Sequence, residues 1–243
     1  MKNQKNTTAY FLFPVCLFIS FCFLSCNHKK NDTAQATIID STTIKNKQHY
    51  QSVNDSKKLL QDGQLITRSD DDFESLILQN FSRQERAYSH SGILFKEGDE
   101  YVVYHCMGGE ENPGEAFQRD AFDSFVNPLK KTGFGIFQYQ LSTDETNKLH
   151  DVMKKNYSMK VPFDASFDLA TNDSLYCSEM IYKALKQATN NRVVLPVSHI
   201  DNFKPKIMGY KKNNLFFKRF EFVGIDDLYL NPFCKEITRV KYN

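Results

Sequence analysis

The chain has 243 residues, 41% hydrophobic and 25% charged, with a formal net charge of +2. That is the make-up of one globular domain with extras rather than of a disordered or fibrous chain. Its 31 Lys and Arg are scattered apart from the short run "YKKNNLFFKRF" near residue 215, which excludes a basic stripe for nucleic acid, and no long-period repeat is present.

In chain order, Lys2 and Lys5 precede the apolar run "AYFLFPVCLFISFCFLSC". Interrupted by Pro14, it is too short for a transmembrane helix, and it ends on small Ser25 before Cys26. "FLSC" resembles a bacterial lipobox, although the usual Leu stands one position earlier than here. The resemblance implies that residues 1–25 are a signal peptide. Cys26 then becomes the diacylated N-terminus of an exported lipoprotein, membrane-anchored in the cell envelope. Residues 27–57, rich in Asn, Thr, Lys and Ser, cannot bury a core, so 26–57 read as the lipidated Cys and a flexible tether. It would reach roughly 30 Å, with His28 and His49 solvated in it. Beyond it only Cys106, Cys177 and Cys234 remain, an odd number that leaves at least one free thiol in an oxidising compartment.

From 58 to 243 the pattern is that of one α+β domain. "DGQLITR" (62–68) reads as a strand, and "DDFESLILQNF" (71–81) has helical apolar spacing. "AYSHSGILF" and "EYVVYHCM", separated by "KEGD", form a hairpin, and "GFGIFQYQL" is a further strand. Ser142 and Glu145 make a capping box for the next helix. "LYCSEMIYKALKQA" carries one apolar stripe (Met180, Ile181, Ala184, Leu185, Ala188) that packs on a sheet. "FEFVGIDDLYL" and "EITRVKY" are two strands around one helical turn.

With Gly98-Asp99 as a type II′ turn, residue 97 opposes 100, 92 opposes 105 and 90 opposes 107. His90 and His105 then share one face of the hairpin as diagonal neighbours, and Cys106 points to the other. Cys177 opens a helix, where the dipole and a cationic His90 favour the thiolate. These residues fit a cysteine hydrolase: Cys177 as nucleophile, His90 as base, His105 orienting the base, and the Cys177 backbone N–H at the oxyanion.

"YSHSGILF", "YVVYHC" and then "LYCSEMIYKAL" resemble the YiiX-type permuted papain-fold proteins, relatives of the NlpC-type cell-wall cysteine peptidases. Tyr176, Cys177, Ser178 and Glu179 match the Y-C-S-E helix start, and "FDASFDL" is similar to the approach loop ahead of it. The order of His strand, third-residue strand and Cys helix is that of the permuted group. The likeness runs from "DGQLITR" through "YKAL" and weakly on to "GIDDLYLNPF". It implies a circularly permuted papain-like fold, a small antiparallel sheet packed on helices that include the Cys helix. It further implies an amidase- or peptidase-type hydrolase that forms a thioester, acting on an amide or ester in cell-wall peptides or lipid-linked molecules. Two positions depart: Gln64 stands where Asp is usual, and His105 where permuted members often carry Glu.

Tyr88, Tyr176 and Glu179 are candidates to line the pocket, with Phe167 beside them. A zinc site from His90, His105 and Cys177 has no close-spaced ligand pair behind it, so no metal or cofactor is expected. Cys106 would replace Cys177 only if the hairpin turn were odd-numbered, and Cys234 either pairs with Cys106 or is buried. His150 and His199 read as structural or exposed. Two other readings stay open: a lipid acyltransferase or acyl hydrolase, and a tethered binding module that has lost turnover.

Overall fold

The computed structural model describes residues 32–70, 78–108, 116–203 and 217–242. The expected sorting signal, Cys26, the start of the expected tether and most of the helix expected over 71–81 lie outside these residues. The chain divides into a unit of residues 1–40 and a unit of residues 41–243, and every strand lies in the second. Where a flexible tether was expected, α1 runs from Asp32 to Ser56. Its last turns pack on the domain: Val53 is buried, and the His49 ring meets Tyr242 at 5.2 Å. The polar composition hides this because only one side of the final turns finds an apolar surface.

The domain is α+β. Its centre is a six-stranded antiparallel sheet in the order β4-β3-β2-β1-β5-β8. The strands are β1 Gln64–Ser69, β2 His90–Glu97, β3 Glu100–Cys106, β4 Phe117–Ala121, β5 Gly133–Tyr139 and β8 Cys234–Lys241. A separate two-stranded ribbon pairs β6 (Ser198–Phe203) with β7 (Phe217–Phe222). The expected hairpin is present in its expected register, with Glu97 opposite Glu100, Ile93 opposite Tyr104 and Gly98 at φ +63° in the turn. Only Gly meets that φ without strain.

Alternation along the strands builds two cores. On one face Ile93, Phe95, Val102, Tyr104 and Cys106 pack against α3 (Thr143–Ser158) and α4 (Cys177–Ala188). The Ser142–Glu145 capping box starts α3, and the predicted stripe of α4 is fully buried. On the other face Ile66, Leu94, Val103, Phe134 and Ile136 pack under the short α2 (Phe122–Phe125) and Val53 of α1. A third, aromatic cluster of Phe167, Tyr176, Phe220 and Phe222, with Phe81 against it, joins the ribbon to the start of α4.

α3 is tied to the hairpin through Glu97, which accepts from Tyr104 Oη (2.7 Å), His150 Nε2 (2.8 Å) and Arg119 Nε (2.8 Å). Burial pushes its pKa up, but these donors together hold it at about 2. A depressed carboxylate stabilises the fold fully above its unfolded pKa and loses that contribution as pH falls through the folded one. Wild type should therefore lose on the order of 1–3 kcal/mol between pH 5 and pH 2 that Glu97→Gln does not lose. Urea titrations of both proteins across that range check this, and parallel curves would show that Glu97 is not the group responsible.

Candidate active site

The hairpin carries out the first half of the expected juxtaposition. His90 Nε2 and His105 Nδ1 are 2.9 Å apart, with the rings edge to face at 5.0 Å, and both are buried. Gly92 opposite His105 makes this approach close. A Cβ there would sit 2.5 Å from Val103 Cγ1 and 3.1 Å from His105 Cβ.

The face they occupy is not the expected one. His90 and His105 share their side of the sheet with Leu94 and Val103, and their rings pack on Phe125 of α2 at 5.6 and 5.0 Å. α4 covers the opposite face, with Ile93 and Cys106. Alternation fixes the two imidazoles relative to each other, but not which helical layer covers them. Cys177 meets the same hairpin from the other side. Its thiol faces the hydroxyl and backbone N–H of Ser91, the residue after His90, together with the N–H groups of Cys177 and Ser178 at the helix start. No hydrogen bond joins Cys177 to His90 in this structure.

The Y-C-S-E motif explains how the thiol is held. Val223 N–H donates to Tyr176 Oη (3.2 Å), and Ser178 Oγ donates to the Val223 carbonyl (2.6 Å), pinning the helix start to the end of β7. Glu179 accepts from Tyr176 N–H (3.1 Å) and pairs with Lys183 Nζ (2.7 Å). It is therefore a buried helix cap rather than a pocket wall, its pKa pushed up to about 7 by burial against the pull of Lys183. Tyr88 also leaves the pocket, packing edge-on against Phe137 and Tyr229 in the core. Tyr176 stays: with Phe81, Phe167, Phe220, Phe222 and Cys177 it lines an apolar cavity of about 20 Å³.

Electrostatics differs from the expected activated thiolate. Burial pushes the Cys177 thiol up, although the surrounding N–H groups and Ser91 pull it down. Burial first, then the charges of Arg68 and Lys131 and the neighbouring His105 ring, drives His90 well below the usual imidazole range. The resting pair is thus neutral thiol and neutral imidazole, because desolvation outweighs the helix dipole.

Three other cysteine and histidine readings resolve directly. Cys106, Cys177 and Cys234 are all free thiols, and Cys106 donates to the Leu175 carbonyl at 2.9 Å. His150 stacks on Phe95 at 4.0 Å, and His199 lies near Arg219 on the ribbon. Gln64 closes the turn that leads into β1, accepting from Gln61 N–H and donating to the Leu59 carbonyl.

Two residues that brace the candidate site escape sequence reading. Asp226 Oδ2 accepts the backbone N–H groups of Arg83, Gln84 and Glu85 at 2.8, 2.6 and 3.1 Å, fixing the approach to β2. Asp120 on β4 lies 3.1 Å from His105 Nε2. "FQRDA" lacks the apolar alternation that marks a strand, so the acid could not be aligned with His105.

No family model matches the chain, and no curated protein matches it. Among solved structures it is similar to the metalloprotein yiiX from Escherichia coli O157:H7, with a TM-score of 0.60, 17% identity, and coverage of 74% of this chain and 98% of that one. The fold is yiiX-like. At that identity the likeness is one of fold, and it spans nearly the whole of yiiX. Among the described residues no helix is long and apolar enough to cross a membrane.

Proposed function

We propose that this chain is a cysteine hydrolase of circularly permuted papain-like fold, exported and anchored to the cell-envelope membrane through Cys26. The observation that carries the reading is the meeting, at adjacent residues of β2, of a helix-start thiol lined by N–H groups and a hydrogen-bonded imidazole pair. His90, the first residue of β2, takes the Cys177 proton. Because the two approach the strand from opposite faces, this step requires the His90 ring to swing round the end of β2. The thiolate attacks an amide or ester carbonyl, forming a C–S bond. The backbone N–H of Cys177 holds the oxyanion. Collapse expels the amine or alcohol, which takes the proton from His90. His90 then deprotonates a water that attacks the thioester carbonyl; the C–S bond breaks, the carboxylic acid leaves, and His90 returns the proton to sulfur.

At about 20 Å³ the aromatic cavity beside Cys177 has room for about one water, so it does not choose between a lipid-linked amide or ester and a cell-wall peptide. The yiiX structure is called a metalloprotein, but a metal does not fit the residues here. Among the described residues no three His, Cys, Asp or Glu converge as a ligand set. His105, whose two nitrogens face His90 and Asp120, is strung between them in a line. No step is routed through a metal.

The test is acyl trapping. Protein treated with a p-nitrophenyl fatty ester should carry an acyl adduct that mass spectrometry maps to Cys177, absent in Cys177→Ala, with Cys106 and Cys234 unmodified. No adduct on Cys177 at any pH between 6 and 9 would leave the tethered binding module, for which the neutral resting pair already speaks.

A further inference from the structure

The His90–His105 pair does not end at His105. Its Nε2 lies 3.1 Å from Asp120 Oδ2, on the strand where Gln118 opposes His105 and Asp120 opposes Val103, so acid and imidazole share a face. Asp120 is held ionised, its pKa lowered by the hydrogen bond to His105. An ionised carboxylate only accepts, so the proton between them sits on His105 Nε2. A neutral imidazole has one bare nitrogen, and for His105 that is Nδ1. His105 Nδ1 can then only accept from His90 Nε2–H at 2.9 Å. The bare nitrogen of His90 is thereby Nδ1.

We propose that Asp120 is a positioning residue: through His105 it sets the tautomer of His90, leaving the lone pair on Nδ1, the nitrogen turned away from His105. Its use in turnover rests on the reading of His90 as the base, whereas the tautomer itself does not. The charges around the pair act in two directions. Arg68 of β1 lies with its guanidinium 4.7 Å above the Phe125 ring, and Lys131 ahead of β5 pairs with Asp70 at 3.1 Å. Both positive charges disfavour imidazolium at His90 and His105, and Asp120 is the acid that favours it at His105. Burial first and then two cations keep the pair neutral, and one acid at its end decides which nitrogens carry the protons.

Nitrogen-15 NMR of histidine-labelled full-length protein at pH 7 reads protonated and bare ring nitrogens without any substrate. Wild type should show Nε2–H and bare Nδ1 on both rings. Asp120→Asn, whose amide can donate to His105 Nε2, should move protons to Nδ1 of both rings or mix the two forms. Asp120→Glu should restore the wild-type pattern. Because the Asp120 side chain is 42% exposed at a sheet edge, these variants keep the fold. A wild-type proton on His90 Nδ1 would overturn the proposal, as would an unchanged pattern in both Asp120→Asn and Asp120→Ala. If turnover is found, Asp120→Asn should lower kcat on the order of 10²-fold with KM little changed, and Asp120→Glu should recover part of it. The expected spectra with no turnover would leave this inference standing and remove the hydrolase reading. Turnover with the wrong tautomer would do the reverse.

Discussion

His90→Ala should lose nearly all turnover, while His105→Ala should lose distinctly less. General base catalysis is worth roughly 10²–10⁴-fold, and a thiol whose pKa burial raises has no other means of shedding its proton near neutrality. His105 lies on the Phe125 face, away from the thiol. It accepts from His90 Nε2 at 2.9 Å and thereby orients the ring and shares the charge that develops on it. His105→Gln, which keeps an acceptor near His90, should recover part of the loss. Because the pair acts as a unit, the double variant should be little slower than His90→Ala alone. The measurement is kcat/KM for both singles and the double on the ester that labels Cys177. Losses that multiply would mean independent roles, and a His105 effect exceeding that of His90 would reverse base and orienter.

Much of this site is legible in the amino-acid sequence because it is local. A Gly-Asp turn sets the hairpin register, and register plus alternation makes neighbours of His90 and His105. Capping and stripe signals likewise mark α3 and α4 from a few residues each. The rest is non-local. Which core each sheet face joins depends on where α2 and α4 pack, so the imidazoles lie over Phe125 rather than under the Cys helix. Asp120 sits on an edge strand whose sequence is mostly polar, and Glu179 resembles a pocket acid in sequence because its capping partner is a backbone N–H. The sign of the Cys177 shift is hidden for a similar reason. The helix dipole is visible in a sequence, whereas the depth of burial that opposes it is not.

Gly92→Ala should be strongly destabilising. The added Cβ would lie 2.5 Å from Val103 Cγ1 and 2.7 Å from the Tyr104 carbonyl oxygen, distances that real Cβ atoms do not occupy. Neither neighbour yields easily: Val103 is fully buried, and the Tyr104 oxygen belongs to a central strand. The strand pair must therefore part, at a cost of roughly 2–4 kcal/mol, the upper range for overpacking a close-packed interior. Gly92 opposes His105, whose Cβ is the third contact at 3.1 Å, so the displacement also opens the His90–His105 hydrogen bond. Urea denaturation should show the loss of stability. In folded Gly92→Ala at low temperature, the imidazole N–H signal of the pair should weaken or vanish, and acyl labelling of Cys177 should fall with it. A control at Gly98, where a Cβ meets nothing within 4 Å and only the φ of +63° is strained, should cost about 1 kcal/mol and leave the pair intact. If Gly92→Ala proved no worse than that control, the close approach of β2 and β3 would not be what seats His105 against His90.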